Sequence, residues 1–437
     1  MEGDGLLKKG GGTERQQHKL STIGATAVLC TWSTASSNLM MPWTFGQLGL
    51  VAAPLLMLVI QGLALLVTLD MVHAAIQTKA ATSADLGFRL GGAVGRLVLQ
   101  GSQVANQLLW LPVAIIVCVD AAQVLLSDFS WSSCNLYLVL PFLVIAFLLA
   151  QFSRNFGGHM EGPAMASCVS IVVQSLCIII LSFRSTVGAT DETTTEWISS
   201  ANTNWWEAAT AVATFLYSFC PTYIVVETVN SMEEPKDASF AVSTAFAFGI
   251  VVYTLTGILV DVNWGADVSD PVTSDMGSTS AAYVTCILAI LSTFFDYIIC
   301  STSLHIYLVK QIDPGFDLSS WTIESCAKFF FITLPVLVVV TFMVFFVPQL
   351  STLVGVITSL SISTSQFIAP AVLLLLWRRQ NAAEAAGGFT PDVLLGLIVA
   401  VGAGLLLFIF SATVFTIVYE TDWSGSFWCD VIGRRKR

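Results

Sequence analysis

Thr31-Trp32-Ser33-Thr34-Ala35-Ser36-Ser37-Asn38 lies in the middle of an apolar stretch that begins near Ile23, at a depth where a membrane helix carries leucines. A chain in hydrocarbon must satisfy every backbone polar group internally. A serine- and asparagine-rich weak point at mid-depth is therefore stable only against protein or a water-filled cavity. Discontinuous helices of this kind build the substrate sites of many secondary transporters. The stretch reads as a broken first span, with Ser36, Ser37 and Asn38 as candidate substrate contacts. The bland alternative is polar glue between helices, worth about 0.6 kcal/mol per contact on average.

Composition sets the solvent in which that break must be read. The chain has 437 residues, 55% hydrophobic and 11% charged, and a mean hydropathy of +0.79, whereas soluble domains carry about 25% charged residues. Apolar stretches long enough to span predict about eleven helices, near 22–47, 52–74, 97–126, 136–152, 163–183, 205–230, 239–261, 281–309, 327–347, 350–377 and 391–419. The expected organisation is a cytoplasmic tail over 1–20, a transmembrane domain over 21–419 and a C-terminal tail over 420–437.

Residues 1–20 are polar and lack the apolar core and cleavage site of a signal peptide. With the N-terminus in the cytoplasm, 13 of the 18 Lys and Arg fall on the internal side: Lys8, Lys9, Arg15, Lys19, Lys79, Arg89, Arg96, Arg154, Lys236, Lys310, Lys328, Arg378 and Arg379. Only Arg184 and the tail Arg434-Arg435-Lys436-Arg437 oppose this. Asp191, Glu192, Glu196, Asp261, Asp267, Asp270 and Asp275 gather externally and account for much of the net charge of −11. No basic stripe exists to hold nucleic acid. Most of the ten cysteines lie in or beside spans as small hydrophobes. Cys134 and Cys429 would both be external, either paired or as free thiols. With four scattered histidines and no phosphate loop or nucleophile cluster, no residues are visible to carry enzymatic chemistry or bind a metal.

A second break falls in the sixth span, at Ser218-Phe219-Cys220-Pro221-Thr222. Pro221 removes a backbone donor and clashes with the preceding turn, so a helix from Trp205 should open just before it. Breaks in spans one and six are equivalent if spans one to five and six to ten are inverted repeats, and that correspondence points to a transporter site.

Three further helices carry polar stripes. In the third span Gln100, Gln103, Gln107 and Trp110 share a face, with Asn106 beside it; in the eighth Ser292, Asp296 and Ser303 do, and in the tenth Thr358, Ser361 and Ser365. Asp296 stands out. A charged aspartate at a span centre costs roughly 2.5–3.5 kcal/mol on insertion scales, so it should be protonated, paired or wet, which makes it a candidate proton carrier. Glu227 is the rival, either as coupling residue or as a cytoplasmic-side lock. Asp70 and Asp120, near span ends, are expected to be solvated.

Pro42-Trp43-Thr44-Phe45-Gly46-Gln47-Leu48-Gly49 resembles the P-Y-A-F-A-Q-L-G stretch after the first-span break of the amino acid/auxin permease family. Glu227 with Met232 and Pro235 is similar to that family's P-E-I-x-x-E-M-x-x-P, although Val226 and Ser231 stand where the family has proline and a second glutamate. Phe367-Ile368-Ala369-Pro370-Ala371 and Asp85-Leu86-Gly87-Phe88 through Gly95-Arg96 extend the resemblance over about 22–377. Ala35-Ser36-Ser37 replaces the family's Gly-Ser-Gly, so hydroxyls stand where bare backbone is usual.

The resemblance implies an all-α polytopic protein with a LeuT-like 5+5 inverted repeat, broken first and sixth spans and an eleventh span. It also implies transport of amino acids by alternating access. A zwitterion fits two breaks, because half-helix N-termini attract a carboxylate and C-termini an ammonium or cation. The carboxylate is expected near Ser36, Ser37 and Asn38 and the opposing carbonyls near Phe219 and Cys220, with Gln103 and Gln107 lining the site. The expected activity is proton-coupled symport into the cytosol, with no cofactor beyond the driving ion, in the plasma membrane or a vacuolar or endosomal membrane. Lipid and the amino acid are the expected partners; nothing in the sequence sets an oligomeric state. The alternatives are a sodium-coupled carrier, an amino acid sensor with little flux, and a channel, which the lack of a filter motif disfavours.

Overall fold

The computed structural model describes residues 19–127, 129, 135–154, 160–184, 204–265, 268–277, 279–346, 350–381 and 388–420. Helices α1 (Thr22–Thr34) and α2 (Met41–Leu48) make the first span, and α3 (Ala52–Thr78), α4 (Ser83–Leu125), α5 (Asn135–Phe152) and α6 (Glu161–Arg184) the next four. The sixth is split into α7 (Trp205–Ser218) and α8 (Thr222–Ser231). Then follow α9 (Ala238–Trp264), α10 (Ser280–Ile312) and α11 (Ile323–Phe346). The tenth span is α12 (Leu350–Ile357), a π-helical stretch (Thr358–Ile368) and α13 (Ala369–Gln380), and α14 (Asp392–Phe415) is the eleventh. Among the described residues eight helical stretches are long and apolar enough to cross a membrane, and α5 with the split first and sixth spans brings the described total to the eleven expected. Cys134, Cys429, residues 1–18 and 421–437, and Asp191, Glu192, Glu196 and Asp267 lie outside the described residues.

Local sequence explains the helix starts. Ser21, Thr82 and Thr279 each accept a hydrogen bond from a first-turn N–H of α1, α4 and α10, and Asn204 with Glu207 forms a capping box on α7. The third span begins later than α4 itself, because Gly91 and Gly92 leave helical geometry, Gly92 at φ +62°. Side chains sort by solvent. Leu55, Leu58 and Val59 on α3, Val338 and Phe342 on α11, and Leu397 and Leu407 on α14 point outward, as lipid permits. Trp32, Trp110, Tyr217, Tyr253, Phe45, Phe215 and Phe219 are fully buried, and all lie on or against the two split spans.

The two breaks differ in construction. Phe219 adopts φ −137°, ψ 74° and Pro221 sits at the N-cap of α8, so the sixth span opens. The first span stays right-handed: Ala35 is at φ −57°, ψ −58°, Ser36 at −84°, −35°, and Ser37–Leu39 form a 3-10 turn. Without a glycine the chain tightens there instead of unwinding.

The ends of the spans that carry all the described Lys and Arg except Arg184, called here the basic end, are tied together. Leu20 N donates to Ser231 O at 2.8 Å and Glu233 N to Leu20 O at 2.9 Å. Ser21 Oγ donates to Glu161 at 2.7 Å. Asp70 corrects an expectation. It is not solvated but 1% exposed, 3.0 Å from Arg378 Nη2, and it accepts from Phe389 N at 2.6 Å, because α13 and the segment before α14 fold over it. At the opposite end, in the connection between α9 and α10, burial and then the neighbouring Asp120 push the Asp270 carboxyl up to about 8.

Candidate substrate site

The α4 stripe predicted from spacing meets its partners in order along antiparallel α10. Gln100 bonds Tyr307, Gln107 Nε2 donates to Ser303 Oγ at 2.9 Å, and Trp110 Nε1 donates to Asp296 Oδ2 at 2.8 Å. Gln103 turns to α8 and donates to Glu227 Oε1 at 3.1 Å. The third and eighth spans are thereby joined from the basic end to mid-depth.

Above that ladder sits an aromatic stack. The Trp110 ring lies 4.1 Å from Tyr217, nearly parallel, and 5.7 Å from Trp32. The Tyr217 hydroxyl shares a hydrogen bond of 3.2 Å with Ser36 Oγ. A continuous path of contacts therefore runs from the first-span break through Tyr217 and Trp110 to Asp296. Asn38 Nδ2 donates to Ser175 Oγ on α6 at 2.9 Å. Asn38 Oδ1, Gln107 Oε1 and Asp296 Oδ1 are buried without a protein partner. Buried polar atoms of this kind demand an explanation, and a polar ligand is one.

Glu227 stands apart from this centre. Both its oxygens are held, Oε1 by Ser83 N at 2.9 Å and Oε2 by Ser83 Oγ at 3.0 Å. The carboxylate thus caps the N-terminus of α4, where the helix dipole favours negative charge. It lines, with Gln103, Ser303, Arg96, Lys310 and Tyr307, a cavity of about 480 Å³ at the basic end. The Gln107–Ser303 pair separates that cavity from Asp296 along the ladder.

Phe219 and Cys220 are buried as expected of a mid-membrane break. The Phe219 ring packs edge-on against Tyr253, centroids 5.2 Å apart, and Cys220 Sγ donates to Tyr217 O at 3.2 Å. The tenth-span stripe is consumed in holding helices together. Thr358 Oγ1 donates to Ala213 O at 3.3 Å, Ser361 Oγ to Ser102 O at 3.4 Å, and Ser365 pairs with Asn106.

Sequence reasoning missed two residues. Tyr253 on α9 donates to the carbonyls of Ser33 and, at 3.3 Å, Ser218. Gly249 and Gly257, one turn to either side on the same face, admit the rings of Phe219 and Phe45, which any Cβ would strike. The pattern Gly-x3-Tyr-x3-Gly was the available signal. Gln366, in the π-helical stretch, accepts from Thr222 N at 3.4 Å and donates to Thr68 Oγ1 at 3.3 Å. Thr68 and Thr222 share a further hydrogen bond of 2.9 Å. A lone glutamine in a Ser/Thr-rich apolar span was its signal.

Among curated proteins no sequence match is found. Among solved structures the fold is similar to the crystal structure of MhsT in complex with L-phenylalanine, with a TM-score of 0.62 at 12% identity, covering 91% of this chain and 100% of that one. This likeness concerns the fold, which is LeuT-like with split first and sixth spans. The family described as transmembrane amino acid transporter protein matches residues 18–415, nearly the whole membrane domain including both breaks, and the chain belongs to that family.

Proposed function

We propose that the chain is a proton-coupled symporter that moves amino acids into the cytosol by alternating access, at the plasma membrane or a vacuolar or endosomal membrane. The observation that carries this reading is the path from Ser36 through Tyr217 and Trp110 to Asp296. It gives a buried carboxyl a direct mechanical line to the break where the substrate would bind. Ser36, Ser37 and Asn38 receive the substrate carboxylate, and the carbonyls near Phe219 and Cys220 face its ammonium. Gln107 lines the path and Gln103 the exit. Asp296 takes and releases the proton, and losing its charge frees Trp110 and Tyr217 to shift. Glu227 acts as the lock on the cytoplasmic side, since its hydrogen bonds to Ser83 and Gln103 must part for α8 to swing from α4.

Uptake of labelled amino acids into proteoliposomes tests the reading. An inward proton gradient is expected to drive accumulation of at least one amino acid from a broad panel. No accumulation of any would overturn it, and binding without flux would turn the reading to a sensor.

A further inference from the structure

The C-terminal ends of two half-helices, α1 and α7, aim carbonyls at one point, and a side chain fills it. Tyr253 Oη donates its single hydrogen between Ser33 O and Ser218 O, with the side chains of Thr34 and Ser37 beside it. Carbonyls at half-helix C-termini carry the negative end of the dipole and are the groups that coordinate a monovalent cation in split-helix carriers. The positive end of a phenolic O–H meets the same demand without an ion. Tyr253 is itself fully buried, and its height is set by Gly249 and Gly257, which let α9 close against Phe219 and Phe45.

We infer that the Tyr253 hydroxyl takes the place of a coupling cation between the two split spans, so that the chain needs no sodium and α1 moves together with α7. This rests on the transport reading for its consequence, but the occupancy of the point can be tested without flux. The purified full-length chain is melted in sodium, lithium or choline chloride at equal ionic strength, as wild type, Tyr253→Phe and Tyr253→Thr. Wild type is expected to melt at the same temperature in all three salts. Tyr253→Phe should melt roughly 2–4 °C lower in choline, through loss of the donor to two buried carbonyls. Tyr253→Thr, which leaves room for an ion and an oxygen to hold it, should regain part of its loss in sodium or lithium.

In proteoliposomes under a fixed proton gradient, exchanging external sodium for choline should leave wild-type uptake unchanged. Stabilisation of the wild type by sodium over choline, or stimulation of its uptake by sodium, overturns the inference even if neither variant folds. So do variants indifferent to every cation. If no amino acid is taken up but the variants respond to sodium, the transport reading fails and the role of Tyr253 stands.

Discussion

The first and sixth spans are interrupted at matching places, yet one break is tight and the other open. At Phe219 the backbone leaves helical geometry and the carbonyl of Ser218 is released toward Tyr253. At Ala35 and Ser36 the backbone stays right-handed, and the chain merely winds into a 3-10 turn over Ser37–Leu39. Proline explains the first case, since Pro221 has no N–H and cannot continue α7. The absence of glycine explains the second, since alanine and serine have no easy access to positive φ. Inverted-repeat symmetry therefore sets where the breaks fall, and residue chemistry sets how far each opens. Side chains already engage the exposed helix ends: Tyr253 the C-termini of α1 and α7, and Gln366 the N-terminus of α8.

The largest effect is expected at Asp296, the point both breaks report to through Trp110 and Tyr217. Asp296→Asn should reduce gradient-driven accumulation to background while sparing exchange of labelled for unlabelled substrate. Unchanged accumulation would remove Asp296 as proton carrier and uncouple the breaks from it. Next come the α9 glycines, which separate the two breaks experimentally. Gly249→Ala places a methyl against the Phe219 ring and Gly257→Ala one against Phe45, each an overpacking cost of about 1–3 kcal/mol. Both should lower thermal stability, but only Gly249→Ala should also change the apparent affinity for substrate. Equal effects on affinity would break the contrast between an open and a closed interruption.

A smaller change is expected on making the first break resemble the family pattern. Ala35→Gly with Ser37→Gly should lower stability by about 0.5–1 kcal/mol per site and alter substrate affinity, read by thermal shift and uptake kinetics. No change in either would show that the tight turn does not depend on the missing glycines. Smallest is Ser36→Ala, which removes the hydrogen bond to Tyr217 and should cost about 0.5–1.5 kcal/mol, measured as reduced thermal stability. If it cost nothing, Ser36 would not be the link between the first break and the stack.

Much of this was legible before any coordinates. Hydropathy located the spans because burial in lipid is decided over some twenty neighbouring residues, and the family reading from Pro42 to Gly49 and around Glu227 agrees with the match over residues 18–415. The stripe Gln100, Gln103, Gln107 and Trp110 was visible because helical spacing alone puts these residues on one face. That Trp110 would find Asp296 was not visible, since 186 positions separate them. Asp70 misled for the same reason: its partner Arg378 lies 308 positions away, so a span-end acid that looked solvated became a buried ion pair.

The sequence by itself determined that this is a many-span membrane protein, how many spans it has and roughly where they lie, and that spans one and six are interrupted. Those properties follow from local composition, caps and Pro221. Tertiary structure decided what each interruption holds. Tyr253 and Gln366 reach the half-helix ends only because α9 and the tenth span pack there, and a hydrogen bond between distant helices depends on packing that no local window of sequence contains.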